Sequence, residues 1–65
     1  MSEELDTARR YRLHAEELRV IAADKAALQN RITLLNLAAD YERMADSMEA
    51  IDTTNKALAR ARNSN

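Results

Sequence analysis

The feature that most constrains the fold of this chain is a near-repeat of its apolar pattern after 30 residues. Within each half, apolar residues recur three or four positions apart, the spacing that places side chains on one face of an α-helix. No stretch alternates apolar and polar residues as a half-buried strand does. The sequence therefore predicts an all-α protein. The 30-residue shift aligns identical apolar residues: Leu5 with Leu35, Ala8 with Ala38, Tyr11 with Tyr41, Ala15 with Ala45 and Ile21 with Ile51.

The same shift favours two helices over one continuous helix. Thirty residues at about 100° each leave the two apolar stripes about 120° apart on a straight helix. A continuous helix would then need two separate partners, whereas a chain that folds back between Asp24 and Asn30 lets the stripes face each other. We predict an antiparallel two-helix hairpin. The alternative is one long continuous helix in a coiled-coil oligomer, which the absence of Gly and Pro favours. The predicted boundaries within a single domain of residues 1–65 are helix 3–24, turn 25–29, helix 30–54 and a basic flexible tail 55–65.

The shortage of large apolar side chains predicts association between chains. Alanine supplies much of the 46% apolar content, and a two-helix hairpin has only one narrow seam in which to bury the rest. A single core is marginal at this size. We therefore predict that two hairpins form a homodimeric four-helix bundle. The residues predicted to form this oligomer or partner interface are Leu18, Ile21, Leu34, Leu35, Leu37, Tyr41, Met44, Met48 and Ile51.

Catalytic and cofactor chemistry is poorly represented in the sequence. There is no Cys nucleophile and no Gly for a phosphate-binding loop. His14 is the only histidine, and its spacing to Glu17 is one that binds metals only when other helices add ligands. Glu16 and Glu17 are adjacent and point about 100° apart, so they are not a facing acid and base. We expect no enzyme activity, no cofactor and no metal.

The charge pattern leaves two functional hypotheses open. The leading one is a small non-enzymatic interaction module that acts through self-association or by binding the helices of another protein. The alternative is a nucleic-acid accessory protein, although the net charge of −1 lacks the basic excess typical of that class. No apolar run is long enough to span a membrane, and the acidic N-terminal segment is unlike a signal peptide, so we expect a cytoplasmic location. The basic residues that the alternative would use are Arg9, Arg10 and Arg12, with Lys56, Arg60 and Arg62 in the tail.

Two segments resemble a known group of proteins. The segment YRLHAEELRVIA, followed by ITLLNLAADYERMA, is similar to a widespread group of small uncharacterised alphaproteobacterial proteins. The resemblance spans about residues 11–45 and implies a two-helix hairpin, with no established activity. Ala27 and Leu28 stand where that group commonly has Asp-Pro at the turn. The matching positions are Tyr11, Arg12, Ala15, Glu16, Glu17, Leu18, Arg19, Arg31, Leu34, Leu35, Leu37, Ala38, Tyr41, Glu42, Arg43, Met44 and Ala45.

Overall fold

The protein is a hairpin of two antiparallel α-helices. The computed structural model describes residues 2–64; Met1 and Asn65, which the predicted domain and tail include, lie outside them. Helix α1 spans Glu3–Ala22, a short 3₁₀ connector spans Lys25–Asn30, and helix α2 spans Arg31–Asn63, with no strand in the described part of the chain. The predicted all-α hairpin is confirmed, and the alternative of one continuous helix is wrong.

Local side-chain interactions fix the start of α1 and the start of the connector. Ser2 has an extended backbone (φ −80°, ψ 137°), and its hydroxyl oxygen accepts a hydrogen bond from the N–H of Leu5. Acidic residues fill the first turn of α1, where they complement the positive end of the helix dipole. Asp24 starts the connector in the same way, because its carboxylate accepts from the N–H of Ala26 at 2.9 Å. Asn30, which precedes α2, makes no side-chain capping hydrogen bond.

The connector reverses the chain without glycine or proline. Among residues 2–64 there is no positive φ angle, so every step of the turn is open to an ordinary residue. Arg31 stabilises the turn, because its Nε donates a hydrogen bond to the carbonyl oxygen of Ala22 at 2.7 Å. That carbonyl lies in the last turn of α1, where helices leave acceptors without an internal partner. The predicted turn is therefore a 3₁₀ segment anchored at both ends.

The seam between the helices is built almost entirely of alanine. The buried residues recur every seven positions on both helices, which keeps them on one side of each helix as it winds along its neighbour. Small side chains at the contact allow helix axes to approach towards the lower end of the usual 8–10 Å range. No larger side chain is fully buried among the described residues. The seam residues are Ala8, Ala15 and Ala22 on α1, and Ala38, Ala45 and Asp52 on α2.

The second helix extends beyond the first. Asn55 contacts Glu4 near the start of α1, so residues 58–63 continue past the end of the seam. These residues are helical to Asn63, and the predicted flexible tail is therefore incorrect over residues 55–63. The cause is local propensity, because this segment consists largely of good helix formers with no Gly or Pro to stop it. The molecule is a single layer measuring 59 × 17 × 10 Å.

Candidate interaction surface

The seven-residue period of the seam divides the layer into two faces of opposite character. On an α-helix, the residues one and four positions before a seam residue lie on one side of it, and those one and four positions after lie on the other. We call the first side the apolar face and the second the ion-pair face. The large residues of the apolar face are Tyr11, His14, Leu18, Ile21, Leu34, Leu37, Tyr41, Met44, Met48 and Ile51.

Half of the ten large residues of the apolar face are exposed, and the other half are half-buried beside the seam. Ile21 is 52% exposed, Leu37 is 43% exposed and Ile51 is 45% exposed. None of the nine residues that the sequence predicted for an interface is buried within the hairpin. Eight of those nine share this face. The ninth, Leu35, lies about 100° around the helix from Leu34 and falls on the ion-pair face.

Aromatic rings bridge the two helices across the apolar face. The rings of Tyr11 and Tyr41 lie 5.8 Å apart, and the imidazole of His14 lies 5.3 Å from the ring of Tyr41. Both spacings fall within the range of favourable tilted aromatic contacts. Beside Tyr11, Met44 and Met48 line a shallow groove of ≈ 400 Å³. The other half of the lining is charged or polar, so the groove has a mixed character; these residues are Asp40, Arg43 and Ser47.

The ion-pair face is closed by contacts within the chain. Arg12 donates to Glu49 at 2.6 Å and to Asp46 at 3.1 Å, and Arg19 reaches Glu42 at 3.4 Å. The hydrogen bond to Glu49 is the main cause that raises the pKa of Arg12 above its ordinary value. Every one of these pairs crosses from α1 to α2. The face is therefore polar, and its charges already have partners.

Asp52 is the one charged residue of the seam. It stands where the seven-residue pattern has alanine elsewhere, and only 6% of its surface is exposed. The Ser2 hydroxyl and then Lys56, 2.9 Å away, hold the pKa of Asp52 below its ordinary value of 3.8, while desolvation opposes them. Ser2 also lies 3.1 Å from Glu4, and its single hydroxyl hydrogen serves one carboxylate at a time. Neighbouring side chains cover Asp52. The hairpin is only one layer thick, so bulk water still lies close to this carboxylate.

The other chemical possibilities raised by the sequence are not assembled into a site. His14 is exposed and packs on Tyr41, and in the described part of the chain no three His, Cys, Asp or Glu side chains are grouped as metal ligands are. Arg9 lies 3.8 Å from Asp6, and Arg10 donates to Thr7 at 3.2 Å. Neither helix, over residues 2–64, has a stretch long and apolar enough to cross a membrane.

The period of the seam is the signal that sequence reasoning missed. The large apolar residues were predicted to form an oligomer or partner interface, and the residues of the contact within the hairpin were not singled out; the hairpin uses alanine for that contact and leaves no large side chain fully buried among the described residues. Alanines at positions 8, 15 and 22, and again at 38 and 45, carry that information in the sequence. Their small size is what makes them suitable for close helix contact.

Comparison with known proteins adds no family to this description. No family model matches the chain, and searches of the curated proteins and of the solved structures gave no match. The resemblance to small alphaproteobacterial hairpin proteins stays a prediction.

Proposed function

We propose that this chain is a small non-enzymatic association module that pairs with a second copy of itself through the apolar face. Two hairpins stacked in this way form a four-helix bundle. The eight large aliphatic, methionine and tyrosine residues from Leu18 to Ile51 on that face become its core, and the ion-pair faces stay outside in water. Such a bundle is a common way for short helical hairpins to complete a core.

The amount of exposed surface is the observation that carries this proposal. The hairpin exposes 5107 Å², whereas a compact monomer of 7.4 kDa exposes about 4200 Å². The excess of about 900 Å² is close to the roughly 800 Å² that each partner contributes to a standard protein interface. Two helices in one layer leave both faces bare, and only the apolar face gains by losing its water.

The ion-pair face supports the same conclusion. Arg9 and Arg12, which a nucleic-acid role would require to be free, lie beside carboxylates of their own chain. Phosphate binding would first have to break those contacts. The apolar face has no such charged contacts among the described residues, and its chemistry suits other apolar helices.

Sedimentation equilibrium at micromolar concentration tests the proposal. We expect the wild type to sediment as a dimer of 7.4 kDa chains. Met48→Asp places a carboxylate in the apolar face and should dissociate the dimer, because burying an unpaired charge is costly. The matched control is Leu13→Asp, since Leu13 is 59% exposed on the outer edge of α1 and should leave the dimer intact.

Two results would overturn the proposal. One is a wild-type chain that sediments at 7.4 kDa while its circular dichroism shows a fully helical protein. The other is a control variant that dissociates the dimer as strongly as Met48→Asp does. Circular dichroism of both variants separates loss of association from loss of the helices themselves.

A further inference from the structure

We infer that the two hairpins of the proposed dimer run antiparallel, related by a two-fold axis perpendicular to the helices. In this arrangement α1 packs on α1 of the partner and α2 packs on α2. The inference rests on the proposed self-association and adds the geometry of the second copy. The competing arrangement has its two-fold axis along the helices, so that α1 of one copy packs on α2 of the other.

The spacing of the apolar residues fits a perpendicular two-fold axis. Along α2 the apolar face has residues separated by 3, 4, 3, 4 and 3 positions, a pattern that reads the same in both directions and is centred between Tyr41 and Met44. Along α1 the pattern from Tyr11 to Ile21 is 3, 4 and 3, centred on residue 16. An antiparallel partner therefore presents the same sequence of knobs and gaps to each helix.

The two centres lie at nearly the same height in the hairpin. The cross-helix contacts Arg12–Glu49 and Arg19–Glu42 place residue 16 of α1 opposite residue 45 of α2. That is within about three residues, or roughly 4 Å along the axis, of the centre of the α2 pattern. One two-fold axis thus brings apolar residues onto apolar residues in both helix pairs at once. A self-complementary patch of this kind is what a symmetric dimer requires.

Charges at the outer edge of the apolar face favour the same arrangement. The outer edge of α1 carries Arg10 and Glu17, seven positions apart. Asp24 follows two residues beyond the end of that helix and lines a hollow with Ile21 and Leu34 of the apolar face. The outer edge of α2 carries Asp40 among neutral residues. In the antiparallel dimer Arg10 lies opposite Asp24 of the partner, twice by symmetry, and Glu17 lies opposite its own copy.

In the competing arrangement, Asp40 of the partner lies between Glu17 and Asp24, and Arg10 has no acidic neighbour across the interface. Opposite charges attract and like charges repel across such edges, which sets the orientation of helices more than their affinity. Only the antiparallel arrangement brings opposite charges together.

Disulfide trapping tests the arrangement, because the chain contains no cysteine. In the antiparallel dimer Leu34 faces Ile51 of the partner, so a mixture of Leu34→Cys and Ile51→Cys chains should form a mixed disulfide. Labelling one variant with ¹⁵N identifies that product by intact mass. Leu34→Cys alone should not couple to itself, since the two copies lie about 25 Å apart along the bundle and a disulfide needs Cα atoms within about 7 Å.

A second mixture reports the competing arrangement. By the register of the cross-helix ion pairs, Ile21 lies level with residue 40 of α2. It therefore faces Tyr41 of the partner only when α1 packs on α2, so Ile21→Cys mixed with Tyr41→Cys should couple only in that case. A dimer that traps this pair overturns the antiparallel inference and leaves the proposed function standing. A chain that sediments as a monomer and traps neither pair overturns both.

A charge reversal tests the edge contact separately. Arg10→Glu should weaken the dimer several-fold at low salt, with the difference disappearing at high salt where charges are screened. Arg9→Glu is the matched control, because Arg9 lies on the ion-pair face. Equal weakening by both variants would overturn the contact between Arg10 and Asp24 of the partner.

Discussion

Enlarging one alanine of the seam should open the hairpin. Ala15 and Ala45 are 0% exposed and face each other at the centre of the contact. Ala15→Leu inserts three extra carbon atoms where the helices meet through methyl groups. Overpacking of this kind costs about 1–3 kcal/mol in well-packed cores. A domain of 65 residues has a total stability of about 3–10 kcal/mol, so this change removes a large part of it.

The matched control places the same residue on the outside of the molecule. Ala50→Leu lies on the exposed edge of α2, and Leu and Ala are both good helix formers, so we expect a change of less than about 0.5 kcal/mol. Urea unfolding followed by circular dichroism at 222 nm measures both variants. If the free energy of unfolding falls by about 1 kcal/mol per molar urea, a variant whose free energy of unfolding is lower by about 2 kcal/mol unfolds at a urea midpoint about 2 M lower.

The comparison must be made at one protein concentration, because association adds to apparent stability. The reasoning is refuted if Ala15→Leu unfolds at the same urea concentration as Ala50→Leu. That result would mean that the helices are not in close contact at Ala15 and that the alanine period has no structural role.

Two further perturbations address the ends of the seam. Because the pKa of Asp52 is lowered by folding, its contribution to stability is present above pH 3.8 and is lost as the pH falls below that value. Asp52→Asn should therefore make the melting temperature fall less steeply with decreasing pH on the acid side. Equal slopes for the variant and the wild type would contradict this. Arg31→Met removes the donor to the Ala22 carbonyl and should lower stability by about 1–2 kcal/mol in urea unfolding. Arg43→Met, which breaks only an exposed pair, should cost less than about 0.5 kcal/mol, and equal losses would refute the anchoring role of Arg31.

The sequence was sufficient to predict the hairpin because the helical period is a geometric constant. The 30-residue displacement between Tyr11 and Tyr41 leaves the two apolar stripes out of phase on one helix. That angle depends only on the number of residues between them and on the helical period. Ser2 and Asp24 are residue types that favour the start of a helix, because a short polar side chain can accept a hydrogen bond from a free N–H group of the first turn. The turn was harder to predict, because Arg31 stabilises it from outside the predicted segment.

The alanine seam was not predicted, because the free energy gained by burying a side chain differs from the closeness with which two helices can pack. A larger side chain gains more from burial, so attention went to Leu, Ile and Met, which were assigned to the interface between hairpins, and the alanines were not assigned to the contact within one hairpin. Helix packing also depends on how closely two backbones approach, and this favours the smallest side chain. Leu35 was grouped with Leu34 for the same reason, although the two residues point to different faces.

The alanine seam has a thermodynamic consequence for the order of events. Alanine has no side-chain rotamers, so closing the seam between α1 and α2 costs backbone entropy but almost no side-chain entropy. On the apolar face, Ile21, Leu37, Met44 and Ile51 are exposed in the single hairpin and keep most of their rotamer freedom, whereas Leu18, Leu34 and Met48 are half-buried there. In this molecule the ordering of the backbone is therefore partly separated from the ordering of the side chains, and the second step is completed only when that face is covered.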